Sequence, residues 1–154
     1  SSLTKTGHPG GTDAVYQVNR AGRASALVRS SVLGHPTGVA LVGGVVWICT
    51  QGSGKLYGLK RSGKLITGPP LADGRLSGLK AIGKDDVIVT SWAGDAIYRG
   101  SLTGSFEYLQ GGVSLPGHPG WDAGRRRLLV PSQGPGTVHV YVLEPRPPKK
   151  KRRR

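Results

Sequence analysis

The chain is poor in the residues that most often carry chemistry. Cys49 is its single cysteine and Asn19 its single asparagine, and eight acids stand against 22 lysines and arginines among 154 residues. One cysteine excludes a disulfide within the chain and leaves the redox compartment open. Cys49 lies on an apolar stretch and reads as a core thiol rather than a nucleophile. So few carboxylates and amides make a Ca²⁺ or Mg²⁺ centre hard to assemble, because such ions need several oxygen ligands. There is no G-x-S-x-G elbow, H-E-x-x-H pair or phosphate-cradling glycine loop. No stretch is long and apolar enough for a membrane-crossing helix. No signal segment is visible, so a cytoplasmic location and secretion after signal removal both stay open.

What the chain has in abundance is glycine (26) and proline (11), the punctuation of many tight turns. Between the turns runs an internal period. Tyr16, Tyr57 and Tyr98 are spaced by 41 residues, and Gly22, Gly63 and Gly104 keep the same step. Trp47, Ile88 and Leu129 follow it, as do Leu56, Ile97 and Val138, and Thr50, Ser91 and Ser132. The third copy departs at the tyrosine position, where His139 stands and Tyr141 lies two residues on. Apolar runs within each copy are short and often alternate, which is strand spacing rather than helix spacing. About 40 residues with four strand-sized pieces is one propeller blade, a unit that must stack on neighbours to bury its faces.

The spacing predicts an all-β chain of thirteen strands over residues 13–143, roughly three four-stranded antiparallel blades, half of a six-bladed ring. Residues 13–19 and 24–29 read as the last two strands of a preceding blade, and 137–143 as the third strand of the last. A sandwich or barrel of unrelated hairpins is the alternative, but it gives no reason for a repeated step. An arc of three blades leaves two apolar faces without neighbours. The expectation is therefore a homo-oligomer, or further blades from a longer chain.

Residues 1–12 read as an N-terminal extension and 144–154 as a disordered tail rich in proline, lysine and arginine. That tail holds seven of the 22 basic residues and one of the eight acids, leaving the body at +8 of the formal +14. Lys149, Lys150, Lys151, Arg152, Arg153 and Arg154 form a run that fits non-specific binding to nucleic-acid phosphates, an import signal, or an incidental solvated tail.

In a propeller, the loop leading into each innermost strand and the loop joining the second and third strands share one face. Residues 34–36 and 51–54, 76–78 and 92–95, and 117–119 and 133–136 are those loops. They carry His35, Gln51, Trp92, Asp95, His118 and Gln133, where chemically distinct side chains interrupt the repeat and a ligand-binding face is expected. Each also has a structural reading: turn chemistry for the histidines, a blade cap for Trp92, a turn carboxylate for Asp95. Asp122 before Arg125, Arg126 and Arg127 reads as a turn acid paired with arginine, and Asp85-Asp86 as a hairpin turn.

The stretches HPTGVALVGGVVWICT, SWAGDAIYRGSLTGSFEYL and GWDAGRRRLLVPSQGPGTVHVYVL resemble the SMP-30, gluconolactonase and NHL-like superfamily of six-bladed propellers, in particular its uncharacterised bacterial members. The resemblance covers about residues 13–143. It implies a ring of six blades and, in catalytic members, a metal-dependent lactonase or esterase whose divalent ion, Ca²⁺ or Zn²⁺, is held by a glutamate, asparagines and an aspartate. Of the candidates here, Glu107 falls on an outer-strand pattern and Asn19 on the opening strand, and Asp122 alone has a loose claim to such a role, so the metal-bearing blades lie outside this chain or the site is lacking. Without such a site the chain would be a non-catalytic binding propeller.

Overall fold

The computed structural model describes residues 13–146, and the basic run Lys149–Arg154 lies outside them. Thirteen strands form four antiparallel sheets. A hairpin of β1 (Ala14–Val18) and β2 (Ala24–Arg29) comes first. Next is a sheet of β3 (Pro36–Val42), β4 (Val45–Thr50), β5 (Leu56–Leu59) and β6 (Leu65–Thr67). Then follow β7 (Leu76–Ala81), β8 (Val87–Ser91), β9 (Ala96–Gly100) and β10 (Phe106–Gln110). The last sheet holds β11 (Gly120–Asp122), β12 (Arg127–Ser132) and β13 (Thr137–Val142). Each sheet is a meander in chain order. The result is a partial, unclosed propeller-like arrangement, in which the opening and closing sheets are the short ones.

The core is laid down between successive sheets, and strand alternation decides which residue faces which neighbour. Ile48 and Tyr57 face back onto Val15 and Val28 of the opening hairpin. Trp47, Cys49 and Leu56 face forward onto Leu79, Val87, Val89 and Tyr98. Ile88 and Ile97 face forward in turn onto Leu128 and Val130. The 41-residue positions thus mark faces. Leu56 and Ile97 are 1% and 0% exposed, whereas their counterpart Val138 is 59% exposed. Tyr57 and Tyr98 are 5% and 4% exposed, whereas Tyr16 is 52%. The same position is covered inside the arc and bare at its ends.

The innermost strands follow a slightly different step. In β3 the register skips Thr37, with Pro36 opposite Thr50 and Gly38 opposite Cys49; in β7 it skips Ser77, with Leu76 opposite Ser91 and Gly78 opposite Thr90. The bridge of Pro116 to Ser132 and the pairing of Gly120 with Leu129 place the third skip at Gly117. Bulges of this kind bend the strand and re-aim one side chain. Here they aim a hydroxyl at the next blade. Thr37 Oγ1 donates to the Leu76 carbonyl at 2.8 Å, and Ser77 Oγ donates to the Pro116 carbonyl at 2.5 Å. The innermost strands therefore repeat at 40 residues and the outer ones at 41, the difference being absorbed in the hairpin between the first and second strands.

Candidate functional site

The loop face is assembled by one hydrogen-bond motif used three times. The first residue after each second strand donates its amide to the carbonyl of a left-handed residue ahead of the innermost strand. The pairs are Gln51 with His35 at 2.9 Å, Trp92 with Arg75 at 3.0 Å, and Gln133 with Leu115 at 3.2 Å. His35, Arg75 and Leu115 hold φ of 59°, 49° and 46°, a region costly for residues with a Cβ and kept only where surroundings enforce it. The hydroxyls that recur at the end of each second strand support the same loops. Ser91 donates to the Gly74 carbonyl at 2.6 Å and Ser132 to that of Ser114 at 2.7 Å. Thr50 contacts Ser53 Oγ at 2.6 Å, and Ser53 donates to the Leu33 carbonyl.

This geometry corrects the equivalence read from the Gly-His-Pro triplets at 34–36 and 117–119. His35 sits in the left-handed turn, but the third copy places Leu115 there. His118 falls instead at the position of Gly38 and Gly78 on the innermost strand, three residues beyond the counterpart of His35. A Cβ on Gly38 would lie 3.3 Å from Gly78 Cα, and a Cβ on Gly78 would lie 2.7 Å from His118 Cα. These three positions form the line along which successive blades touch, and glycine is needed where another blade follows.

The face splits into two connected groups. Trp92 and Asp95 belong together with the lead-in to the last sheet: Trp92 Nε1 donates to the Pro116 carbonyl at 3.0 Å, and Asp95 Oδ1 accepts the Leu115 amide at 2.9 Å. Gln133 joins them through Leu115. The Arg75 guanidinium lies over the Trp92 ring, 5.7 Å from its centroid. His35 and Gln51 form the second group, on the preceding sheet. Of the two expected uses of Trp92, its indole N–H serves the blade-capping one. Asp95, at φ 43°, is a turn residue bridging two loops.

His118 stands apart, lining a cavity of about 430 Å³ with Ala14, Val15, Tyr16, Thr37 and Val39. Burial, and then the charge of Lys80, hold its imidazole below the usual histidine pKa. The cavity opens beside β1, which pairs with β2 alone among the described strands. A second hollow of about 340 Å³ lies beyond the 51–54 loop, between Ser53, Leu56, Pro69, Pro70 and Leu71. On the opposite face Asp85, Asp86, Glu107 and Arg146 line one of about 570 Å³.

Asn19, Glu107 and Asp122 do not converge. Asn19 folds its own carboxamide onto the amides of Ala21 and Arg23 at 2.9 and 3.0 Å, in a hairpin turn. Glu107 is exposed on the outermost strand β10, 3.9 Å from Arg146. Asp122 pairs with Arg125 at 3.1 Å, and its hydrogen bonds from Arg125 keep its carboxyl below the ordinary range. Among the described residues no group of three His, Cys, Asp or Glu side chains is placed to hold a metal ion. Sequence reasoning missed Tyr98 and Asp73, whose short hydroxyl–carboxylate hydrogen bond ties the third strand to the lead-in of its own sheet. Tyr57 repeats it one copy earlier on the Val32 carbonyl, at 3.0 Å. The signal was the 41-residue step from Val32 to Asp73, which carries no side-chain likeness.

No protein-family model matches the chain, and no curated protein does. Solved structures do. A streptogramin B lyase structure superposes with a TM-score of 0.59 at 16% identity, over 84% of this chain and 48% of that one. A chain of the nidogen/laminin complex gives 0.67 at 15%, over 81% and 51%. A Bacteroides uniformis protein, provisionally named a 6-phosphogluconolactonase, gives 0.65 at 16%, over 91% and 49%. The chain thus spans about half the length of each, and at this identity the likeness is one of fold.

Proposed function

We propose that the chain is a non-catalytic propeller arc, half of a six-bladed ring, that binds a ligand through the face bearing His35, Gln51, Trp92, Asp95, His118 and Gln133. Its ring is completed by another copy or by further blades of a longer chain. The observation that carries the reading is the fate of the face's acids. The Asp95 carboxylate holds the Leu115 amide, and Asp73 holds the Tyr98 hydroxyl. Carboxylates that would activate water or grip a cation are spent on fixing loops, while His118 and Gln133 are exposed. Loops fixed by hydrogen bonds and presenting glutamine amides suit ligand recognition.

A metal-dependent lactonase or esterase of the SMP-30 type is the second reading, favoured by the fold likeness to the provisionally named lactonase. It requires ligands that Asn19, Glu107 and Asp122 do not bring together, so they would come from other blades. Metal analysis of purified protein alongside a lactone hydrolysis assay separates the two. The binding reading predicts neither a stoichiometric divalent ion nor turnover. Stoichiometric Ca²⁺ or Zn²⁺ together with lactone hydrolysis would overturn it.

A further inference from the structure

The face opposite the candidate site carries a repeated basic feature. The hairpin joining β1 to β2 reads Asn19-Arg20-Ala21-Gly22-Arg23, and the one joining β5 to β6 reads Lys60-Arg61-Ser62-Gly63-Lys64. The two turns are built alike. Gly22 donates to Asn19 and Asn19 to Arg23; Gly63 donates to Lys60 and Lys60 to Lys64, all at 2.9–3.0 Å. Gly22 and Gly63 hold φ of 76° and 83°. Arg20 and Arg61 therefore occupy the same place on two adjacent sheets, as do Arg23 and Lys64.

The third copy shows what has been changed. Its turn, over residues 101–105, puts Leu102 and Ser105 at those positions, and Asp85 from the neighbouring hairpin accepts the Ser101 hydroxyl at 2.8 Å. One copy earlier the Asp85 position is Gly44, so the β5–β6 turn meets no acid there. Of the other acids on this face, Asp86 is matched by Arg99 at 2.6 Å, Asp122 by Arg125 at 3.1 Å and the exposed Glu107 by Arg146 at 3.9 Å. Arg20, Arg23, Arg61 and Lys64 are all exposed, and among the described residues none of these side chains makes an ion pair or hydrogen bond.

We infer that the β1–β2 and β5–β6 turns form a docking surface for a nucleic-acid phosphate backbone. Cations at matched positions on two adjacent sheets gather four exposed positive charges on one face, and contacts of such charges with phosphates bind through counterion release without reading bases. The tips carry Ala21 and Ser62 rather than the large apolar side chains that anchor a protein in a lipid interface.

The test is fluorescence anisotropy of a mixed-sequence DNA duplex against the full chain over a salt series. Three variants are compared: Arg20, Arg23, Arg61 and Lys64 to Gln; Arg29, Lys55, Lys84 and Arg127 to Gln as a charge-matched control; and Lys149 through Arg154 to Gln. The four turn cations are exposed and unbonded, so their replacement leaves folding intact. The turn variant is expected to lose about 3.6 from the salt slope, about 0.9 per contact, and more than tenfold in affinity at low salt. The control and tail variants retain that share. The inference is overturned if the turn variant binds like the unaltered chain, or if the matched control loses as much. It also fails if the tail variant alone abolishes binding, or if the turn cations matter for anionic vesicles but not for the duplex.

Discussion

Ser77 donates its hydroxyl to the carbonyl of Pro116 at 2.5 Å, fastening one blade to the lead-in of the next, as Thr37 does to Leu76 one copy earlier. The Pro116 carbonyl also accepts the Trp92 indole N–H, at 3.0 Å. Two donors on one acceptor make the second junction redundant where the first is not.

Thr37→Val is expected to destabilise the fold by about 1–2 kcal/mol, because the Leu76 carbonyl loses its side-chain donor at a part-buried junction. Ser77→Ala and Trp92→Phe are each expected to cost about 1 kcal/mol. Their combination should cost more than the two added, since each covers for the other. Urea unfolding of the single and double variants measures this, and strict additivity would show that the acceptor is not shared.

Gly78→Ala is expected to be among the most damaging small changes in the chain. Its Cβ would stand 2.6 Å from Pro119 Cδ and 2.7 Å from His118 Cα, and backbone there cannot move aside cheaply. Overpacking of this kind costs about 1–3 kcal/mol. Gly120→Ala, whose Cβ would meet nothing nearer than 3.7 Å, serves as the control and should change the thermal midpoint little.

Tyr98 predicts an alkaline weakness. Burial first, and then the hydrogen bond and charge of Asp73, push its phenol up to about 12 from 10.0. The unfolded chain gives up this proton first, so the associated stability is whole below pH 10 and lost as pH rises towards 12. Tyr98→Phe should be less stable at neutral pH, having lost the bond to Asp73, and should show a smaller fall across that window. Denaturant titrations at stepped pH check both signs.

Cys49 is fully buried between the first two complete sheets, and burial pushes its thiol up to about 11. Only the thiolate attacks disulfide reagents. Native protein should therefore react with a thiol reagent far more slowly than unfolded protein, with the rate rising as denaturant opens the blade interface. Rapid labelling under native conditions would contradict the packing described here.

The thirteen strands and the 41-residue equivalences were legible because a repeat samples the same environment several times. Trp47, Ile88 and Leu129 agree in kind because each points forward from its blade. The innermost strands were harder to place. Their true step of 40 is hidden by compensation in the following hairpin, so the Gly-His-Pro triplets at 34–36 and 117–119 looked equivalent when Leu115, without any likeness to His35, is the structural counterpart. The bond from Tyr98 to Asp73 was invisible for a related reason: its earlier copy ends on a backbone carbonyl, which any residue supplies.

The account rests on the two bare end faces, marked by Tyr16 on one side and by Leu129, Val138, Val140 and Val142 on the other. The most direct measurement is the solution mass of the 154-residue chain, compared with that of Val138→Lys. The account predicts self-association of the unaltered chain to a multiple of 16.1 kDa and its loss in the variant. A 16.1 kDa monomer that binds no hydrophobic dye, with the variant indistinguishable from it, would contradict the account.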